Sequence, residues 1–517
     1  MLPNSLRGLL APQAYPHAVQ EVELIETHVS WVLLAGEFAY KIKRPVQYAF
    51  IDLRDPARRN LLCEEELRLN RRFAPQLYLE VCRVADDGGA ARIACGGGVG
   101  ATLEYAVRMR RFQARDELDR VLARGEVEPR ELEAFGRHLA ILHAGLPTAA
   151  AQSPWGRPAD VQALIVRNLL ECAESSAVFG AAESVLALRD GLERSLRSAA
   201  ASMVMRRASG HVRECHGDLH ARNIVRLEGR LVAFDCLEYE PAFRWIDVAD
   251  EVAFLSSDLA ARGCPLHAHA FVSGYLARSG DYALCRVSRL YEAHRALVRA
   301  KIAALSAASA PERERGPLRR EHERLIDHAS RSLASHAAVL LLMCGLSGSG
   351  KTWLAQRLAE RLQAVHVRSD LERKRRAGLD ELARTQSGIA SGLYSIAMSA
   401  AVYADLERAA EDILAGGYPV IIDAALLRRE QRARFAELGI RRGMRSRLVY
   451  CEAPVETLRA RIAARALSGR DPSEADAAVL DWQLAHFEQP QPDEPLEVIR
   501  VETAEPEALE RVLRRIR

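Results

Sequence analysis

No Cys-x-x-Cys pair occurs among the ten cysteines, which are scattered from Cys63 to Cys451. A zinc site and a redox dithiol are therefore not expected, and the pattern suits buried free thiols in a reducing compartment. No basic-then-apolar segment opens the chain: MLPNSLRGLLAPQAYPHAV lacks the layout of a signal peptide. The most apolar stretch, Ala337 to Cys344, is far too short to span a bilayer. Membrane anchoring is not expected, and the expected location is cytoplasmic. Nor is there an excess of charge: a net +3 over 517 residues is too mild to argue for a nucleic-acid partner. No internal repeat is visible, so the chain did not arise by duplication of one unit.

What is present is ordinary globular composition, 49% apolar and 27% charged, in a chain long enough for two or more cores. About the first 110 residues are strand-rich, with VELIE, HVSWVLLA, FAYKIK, LYLEVCRV, ARIAC and ATLEYAVRM around a helical stretch near Leu61 to Phe73. From 111 to 305 the period becomes helical, as in Leu132, Phe135, Leu139 and Leu142, interrupted by the strand-like NIVRL and RLVAFD. Ser306 to Pro317, SAASAPERERGP, reads as an exposed connector, and a basic helical stretch continues it to about 336. From 337 to 517, strands at VLLLMCG, AVHVRS, YPVIIDA and SRLVYCE alternate with helical segments, which predicts a parallel sheet.

The sharpest motif is Gly345-Leu346-Ser347-Gly348-Ser349-Gly350-Lys351-Thr352, a GxxxxGK[ST] match between an apolar strand and a helix-patterned segment. Its glycines permit a tight loop whose N–H groups point at phosphates, Lys351 reaches the β and γ oxygens, and the Thr352 hydroxyl suits magnesium. Strand two of this region ends in HVRSDLERKR. There the pattern resembles small-molecule and polynucleotide P-loop kinases, such as gluconate, zeta-toxin and polynucleotide kinases. The resemblance implies that Asp370 orients or deprotonates the acceptor hydroxyl and that Arg373 holds phosphate or substrate; the alternative is a plain helix cap. Asp423, closing PVIID, fits a carboxylate beside the nucleotide or a turn residue. Arg461 and Arg465, with Arg470, resemble the arginine-bearing lid of these kinases, or form a solvated helix face. Polynucleotide kinases carry asparagine after the strand-end aspartate, whereas this chain reads Asp423-Ala-Ala, which argues against a nucleic-acid acceptor.

A second motif, ECHGDLHARNIV, spans residues 214 to 225. H-x-D-x-x-x-x-N chemistry needs an aspartate to accept the proton of an attacking hydroxyl, here Asp218, and an asparagine five residues on to hold magnesium, here Asn223. Asp235, after RLVAF, stands where a kinase places a second metal-binding carboxylate. With the lobes in this order, the segment resembles the aminoglycoside phosphotransferase and choline kinase superfamily, which shares the protein-kinase fold; His216 is then structural. That resemblance implies a lysine for the ATP phosphates, Lys41 or Lys43 with Lys41 preferred, and a glutamate among Glu64 to Glu66, with Glu66 preferred. It also implies a nucleotide hinge within Glu104 to Met109. A glycine-rich phosphate loop is missing from the first hairpin, and Cys95-GGGVG-Ala101 reads as a hairpin tip. Glu238, Glu240, Asp247, Asp250, Glu251 and Asp258 would supply acid for a cationic acceptor, although Asp247 also fits a brace for the loop.

The whole resembles bacterial fusions of an aminoglycoside-phosphotransferase-like domain with a P-loop ATPase or kinase domain. The expected fold is multidomain α+β and α/β: a bilobal protein-kinase-like fold at 1–305, then a P-loop α/β/α parallel-sheet domain at 337–517. The expected activity is a bifunctional ATP- and Mg²⁺-dependent phosphotransfer to small-molecule hydroxyl acceptors. Two rivals are a sensor in which one nucleotide site gates the other and an NTPase that only hydrolyses ATP.

Overall fold

The computed structural model describes residues 2–48, 51–95, 100–385, 395–468 and 471–516, so Gly96 to Val99 of the glycine run and Arg470 lie outside the described residues. It divides into two compact units, one formed by Met1–Arg167 with Val204–Leu259, the other by Asn168–Met203 with Ala260–Arg517.

The first unit opens with β1 (Val22–Glu26), β2 (Ser30–Ala35) and β3 (Phe38–Lys43), then α1 (Pro56–Asn70), β4 (Tyr78–Asp87), β5 (Ala90–Ala94) and β6 (Thr102–Arg110). The sheet order is β1-β2-β3-β6-β4-β5, antiparallel throughout. Strand alternation divides its residues between two faces. Trp31, Leu33, Tyr40, Ile42 and Val84 pack one way, against Leu6 and Leu9, while Ala39, Val107 and Met109 pack against Cys63 and Leu67. Lys41 and Lys43 share the parity of Ala39 and so lie on the α1 side. Pro at the start of α1 and Asp55, which accepts from the Ala57 N–H, fix where that helix begins.

Two sequence expectations change here. Glu104 to Met109 is not a hinge: it lies inside β6, where Glu104 and Tyr105 pair with β4 and Ala106 to Met109 pair with both β3 and β4. Where a strand is paired on both sides, its N–H and C=O groups are spent on its neighbours and not on a base. Nor are all ten cysteines free thiols. Cys82 in β4 and Cys95 just after β5 are joined in a disulfide, and the other eight form none.

The helical part of this unit contains α2 (Pro129–Gly145), short strand β7 (Val212–Glu214), the hairpin β8 (Ile224–Leu227) and β9 (Arg230–Ala233), β10 (Trp245–Asp247) paired with β7, and α3 (Val248–Ala261).

In the second unit, α4 (Pro265–Ser279), α5 (Cys285–Ser309) and α6 (Glu312–Leu333) precede an alternating α/β region. The segment expected as an exposed connector is helical, broken only at Ala310 and Pro311, with Pro317 inside α6, and its Ala307 is fully buried. The alternating region comprises β11 (Leu340–Cys344), α7 (Lys351–Leu362), β12 (Val365–Arg368), α8 (Ser369–Arg376), α9 (Ile396–Ala415), β13 (Val420–Asp423), β14 (Arg447–Glu452), α10 (Val455–Ser468) and β15 (Glu497–Glu502). Its sheet runs β12-β13-β11-β14-β15, all parallel. The apolar run expected to be too short for a membrane is the central strand β11, buried at every residue because helices cover both faces. Among the described residues no helix is long and apolar enough to cross a membrane. Edge strand β15 was not foreseen: it reads EVIRVE, with charges that suit an edge.

Leu354 of α7 is fully buried against β11 and β13. Leu354→Ala is expected to cost about 2–5 kcal/mol through lost contacts and a residual cavity, measured as the shift of the denaturant-unfolding midpoint of the full chain.

Two candidate phosphotransfer sites

Glu66 lies on α1 one turn beyond Cys63, on the face that meets the sheet, and its carboxylate is completely buried. It receives Lys41 Nζ at 2.8 Å and Lys43 Nζ at 2.7 Å. Lys41 also reaches Asp235 Oδ1 at 2.5 Å, while Lys43 binds Glu238. Exposure separates the lysines: Asp235, the partner of Lys41, is 44% exposed, whereas Lys43 and Glu238 are 2% and 9% exposed. Lys41 thus faces an open site and Lys43 a closed one. Burial would raise the carboxyl of Glu66, but the two ammonium groups outweigh it and hold Glu66 well below its ordinary range. Burial would likewise lower Lys41, and Asp235 and Glu66 hold it well above. At Glu238, burial dominates and pushes the carboxyl up.

Asp235 sits two residues beyond β9 with φ +64°, a left-handed backbone rare outside glycine. Its surroundings impose this conformation: the Asp235 N–H donates to Tyr78 Oη at 3.1 Å and the Cys236 N–H to Asn70 Oδ1 at 2.9 Å. The loop of residues 216–223 is stitched to the same segment. Phe234 N–H donates to Asn223 O at 2.9 Å and Leu237 N–H to His216 O at 3.0 Å. Burial lowers the imidazole of His216, so it stays neutral, and its Nε2 lies 2.8 Å from Phe234 O. Asn223 Nδ2 donates to both the backbone and carboxylate oxygens of Asp218 at 3.0 Å. The structure therefore brings Lys41, Glu66 and Asp235 into one chain of contacts, and Asp218 and Asn223 into a second on the adjoining loop. Asn223 and Asp235 supply the hard oxygen donors that suit magnesium.

The acids expected to greet a cationic acceptor are otherwise engaged. Glu251 accepts the His216 and Gly217 N–H groups at 2.7 and 2.8 Å, Asp258 accepts Ala221 N–H at 2.9 Å, and Asp247 pairs with Arg206 at 2.8 Å. Those three, with Glu238 and Asp250, are buried. Glu251 and Asp258 shape the loop from behind, because buried backbone donors require acceptors.

In the second unit, Gly345 to Thr352 turns from β11 into α7. At Gly348, φ is +83° and a Cβ would stand 2.7 Å from Leu458 O, so only glycine lets the loop close down. Lys351 Nζ folds back onto Leu346 O at 2.8 Å, and Ser347 N–H donates to Gln483 Oε1 at 2.8 Å. Burial lowers the Lys351 ammonium despite Asp423 nearby. A cavity of about 700 Å³ is lined by Ser347, Gly348, Gly350, Lys351 and Thr352, and also by Asp370, Arg373, Asp423, Arg461 and Arg465. Of these, Arg461 approaches Gly348 O at 3.3 Å, Arg465 donates to Ala475 O at 2.8 Å, and Arg373 reaches Ser399 Oγ at 3.3 Å. Asp423 is buried beside His366, Nε2 to Oδ2 3.1 Å. Burial would raise its carboxyl, but the His366 hydrogen bond and the nearby cations bring it to about 2. The tight glycine loop and the Thr352 hydroxyl and Asp423 carboxylate on one cavity wall fit a nucleotide and its magnesium.

Residues 49–287 match the model of the phosphotransferase enzyme family, and residues 340–490 match an AAA domain model. The chain joins a phosphotransferase-family kinase domain to a P-loop kinase domain. Uncharacterized proteins of Mycobacterium tuberculosis and Mycobacterium bovis are similar over 471 residues, each 29% identical across 90% of this chain and 91% of its own length. Among solved structures, an aminoglycoside phosphotransferase from Alicyclobacillus acidocaldarius is 16% identical, covering 64% of this chain and 94% of its own, with a TM-score of 0.37. A sugar kinase from Janibacter is 23% identical, covering 34% of this chain and 94% of its own, with a TM-score of 0.28.

Sequence reasoning missed several residues of both domains. In the phosphotransferase-family domain these are Glu238 as the partner of Lys43, and Tyr78 and Asn70 as holders of the Asp235 backbone. The one local signal was Asn70 four residues after Glu66, on the same helix face. In the P-loop domain they are His366 and Gln483, which meet their partners only across strands or helices.

Lys41→Met is expected to keep the fold, since Glu66 retains Lys43, and to abolish nucleotide-dependent turnover by this domain. Lys43→Met leaves Glu238 buried without its cation and Glu66 with only Lys41, and is expected to cost about 3–5 kcal/mol; denaturation run beside ATP turnover separates the two outcomes. Because the folded-state value of Asp423 lies below its ordinary 3.8, its stabilising contribution is present above that pH and lost as pH falls toward about 2. The stability difference between wild type and Asp423→Asn should shrink across that window in acid titrations.

Proposed function

We propose that the chain is a cytoplasmic ATP- and magnesium-dependent enzyme with two phosphotransfer sites, each moving a γ-phosphoryl group to a hydroxyl of a small molecule. Residues 1–305 would form one functional segment and 337–517 the other, joined through 306–336. The observation that carries this reading is the double set of polar groups: Lys41, Glu66, Asp218, Asn223 and Asp235 in one unit, and the cavity holding Lys351, Thr352, Asp370 and Asp423 in the other. A pure hydrolase has no acceptor for Arg373 to hold on the cavity wall.

In the first site, Lys41 exchanges Asp235 for nucleotide phosphate while Glu66 keeps it aligned. Asp218, steadied by Asn223, accepts the proton of the acceptor hydroxyl as the oxygen attacks. In the second, the N–H groups from Gly345 to Gly350 and Lys351 cradle the phosphates, Asp370 takes the acceptor proton, Arg373 holds the acceptor, and Arg461 and Arg465 face the moving phosphoryl group. Asn223 with Asp235, and Thr352 with Asp423, would each hold magnesium, which when bound neutralises the phosphate charge. Inward-facing acids at the first site argue against a wall built for a polycationic acceptor. The altered Asp423-Ala-Ala stretch disfavours nucleic acid at the second.

Asp218→Ala is expected to lower transfer by the first site by about 10²- to 10⁴-fold, the worth of a general base, with ATP binding unchanged. Lys351→Ala should silence the second site independently. Mass spectrometry of a metabolite extract incubated with ATP and each variant would show which compounds cease to gain a phosphate. Unaltered phosphorylation in the double variant would rule out both assignments.

A further inference from the structure

Helix α8 reads SDLERKRR, only eight residues and almost wholly charged. Isolated helices of this length do not persist in water, yet this one carries Asp370 and Arg373 on the cavity wall. Residues two apart on a helix are turned about 200° from one another, so Glu372 and Arg375 lie opposite that pair, on the face away from the cavity. There Glu372 is buried, accepts the Tyr282 hydroxyl at 2.7 Å and pairs with Arg375. Arg375 donates in turn to Ala277 O, in the last turn of α4, where a cation complements the helix terminus. Gly280, with φ +70°, makes room for it: a Cβ there would stand 2.7 Å from the Arg375 Cδ.

The second wall is tied down from the same side. Helix α9 contributes Ser399, Ala400 and Tyr403 to the cavity. At its far end Arg286 pairs with Asp412 at 2.5 Å, and Arg289 donates to Gly416 O and Gly417 O at 3.1 and 3.0 Å. Residues 277–289 thus fix the rear of both helices that face the acceptor side, and most of them fall within the stretch matching the phosphotransferase family, not the P-loop match.

We infer that Tyr282, acting through Glu372 and Arg375, is a positioning residue for the P-loop site: it sets the rotation and register of α8, and so the places of Asp370 and Arg373. The inference rests on the reading of Asp370 as the group that activates the acceptor. The P-loop site is therefore completed by helices encoded before it, and residues 277–289 set its turnover without touching nucleotide.

The test uses the full chain with Asp218→Ala to silence the first site, MgATP as the only added substrate and water as the acceptor. ADP release and the affinity for a non-hydrolysable ATP analogue are read separately. Tyr282→Phe, which removes one hydroxyl, is expected to lower the rate by about 10-fold, the size of one hydrogen bond to a charged group, and to leave analogue affinity within about 2-fold. Glu372→Gln should behave alike. In an Asp370→Asn background neither substitution should lower the rate further, because they act through that residue. Full turnover in Tyr282→Phe, an equal further loss in the Asp370→Asn background, or loss of cooperative unfolding in both variants would each overturn the proposal. If Lys351→Ala leaves ADP release unchanged, the phosphotransfer reading of the P-loop site falls, and the inference falls with it. If Lys351→Ala abolishes release while Tyr282→Phe does not alter it, only the inference falls.

Discussion

A buried carboxylate between two ammonium groups is the interaction on which the first unit is built. Glu66 has no access to water and binds Lys41 and Lys43 at 2.8 and 2.7 Å. Removing ions from water is tolerable only when their charges are met at short range, so α1 must lie against β3 with Glu66 facing the lysines. The same two ammonium groups then hold Asp235 and Glu238. One electrostatic requirement joins a strand, a helix and the segment after the β8–β9 hairpin, and leaves Lys41 and Asp235 at the open end.

The P-loop region answers to a different constraint, the approach of backbone to backbone. A side chain at Gly348 would strike the carbonyl of Leu458, so the loop packs against α10 only because the glycine is bare. The same closeness brings Arg461, on α10, within reach of the loop. Short-range sterics and a parallel sheet whose strands end at one edge bring Lys351, Thr352 and Asp423 to one cavity.

Legibility in the sequence followed the distance over which chemistry was spread. The P-loop could be read because strand, loop and helix are contiguous, and the 216–223 loop because a proton acceptor and an amide lie five residues apart. Alternation places Lys41 and Lys43 on one face of β3, so Lys41 could be preferred only by resemblance; burial of their partners is what differs. The hinge was misplaced because ATLEYAVRM looks alike whether a strand is central or at an edge, and only the pairing of β6 with both β3 and β4 decides. Glu251 and Asp258 looked like an acidic surface because composition does not reveal which way a carboxylate faces.

By itself the sequence determined the order of the two domains, the parallel sheet of the second and the residues able to bear phosphoryl chemistry, since each depends on periodicity or on spacings within a few residues. Only the tertiary structure decided which lysine meets the open site, which acids are spent on backbone N–H groups, and that Tyr282 stands behind the helix of Asp370. Those are pairings between residues 23 to 195 positions apart, made where desolvation forces every buried charge and donor to find a partner, and no local pattern encodes the partner.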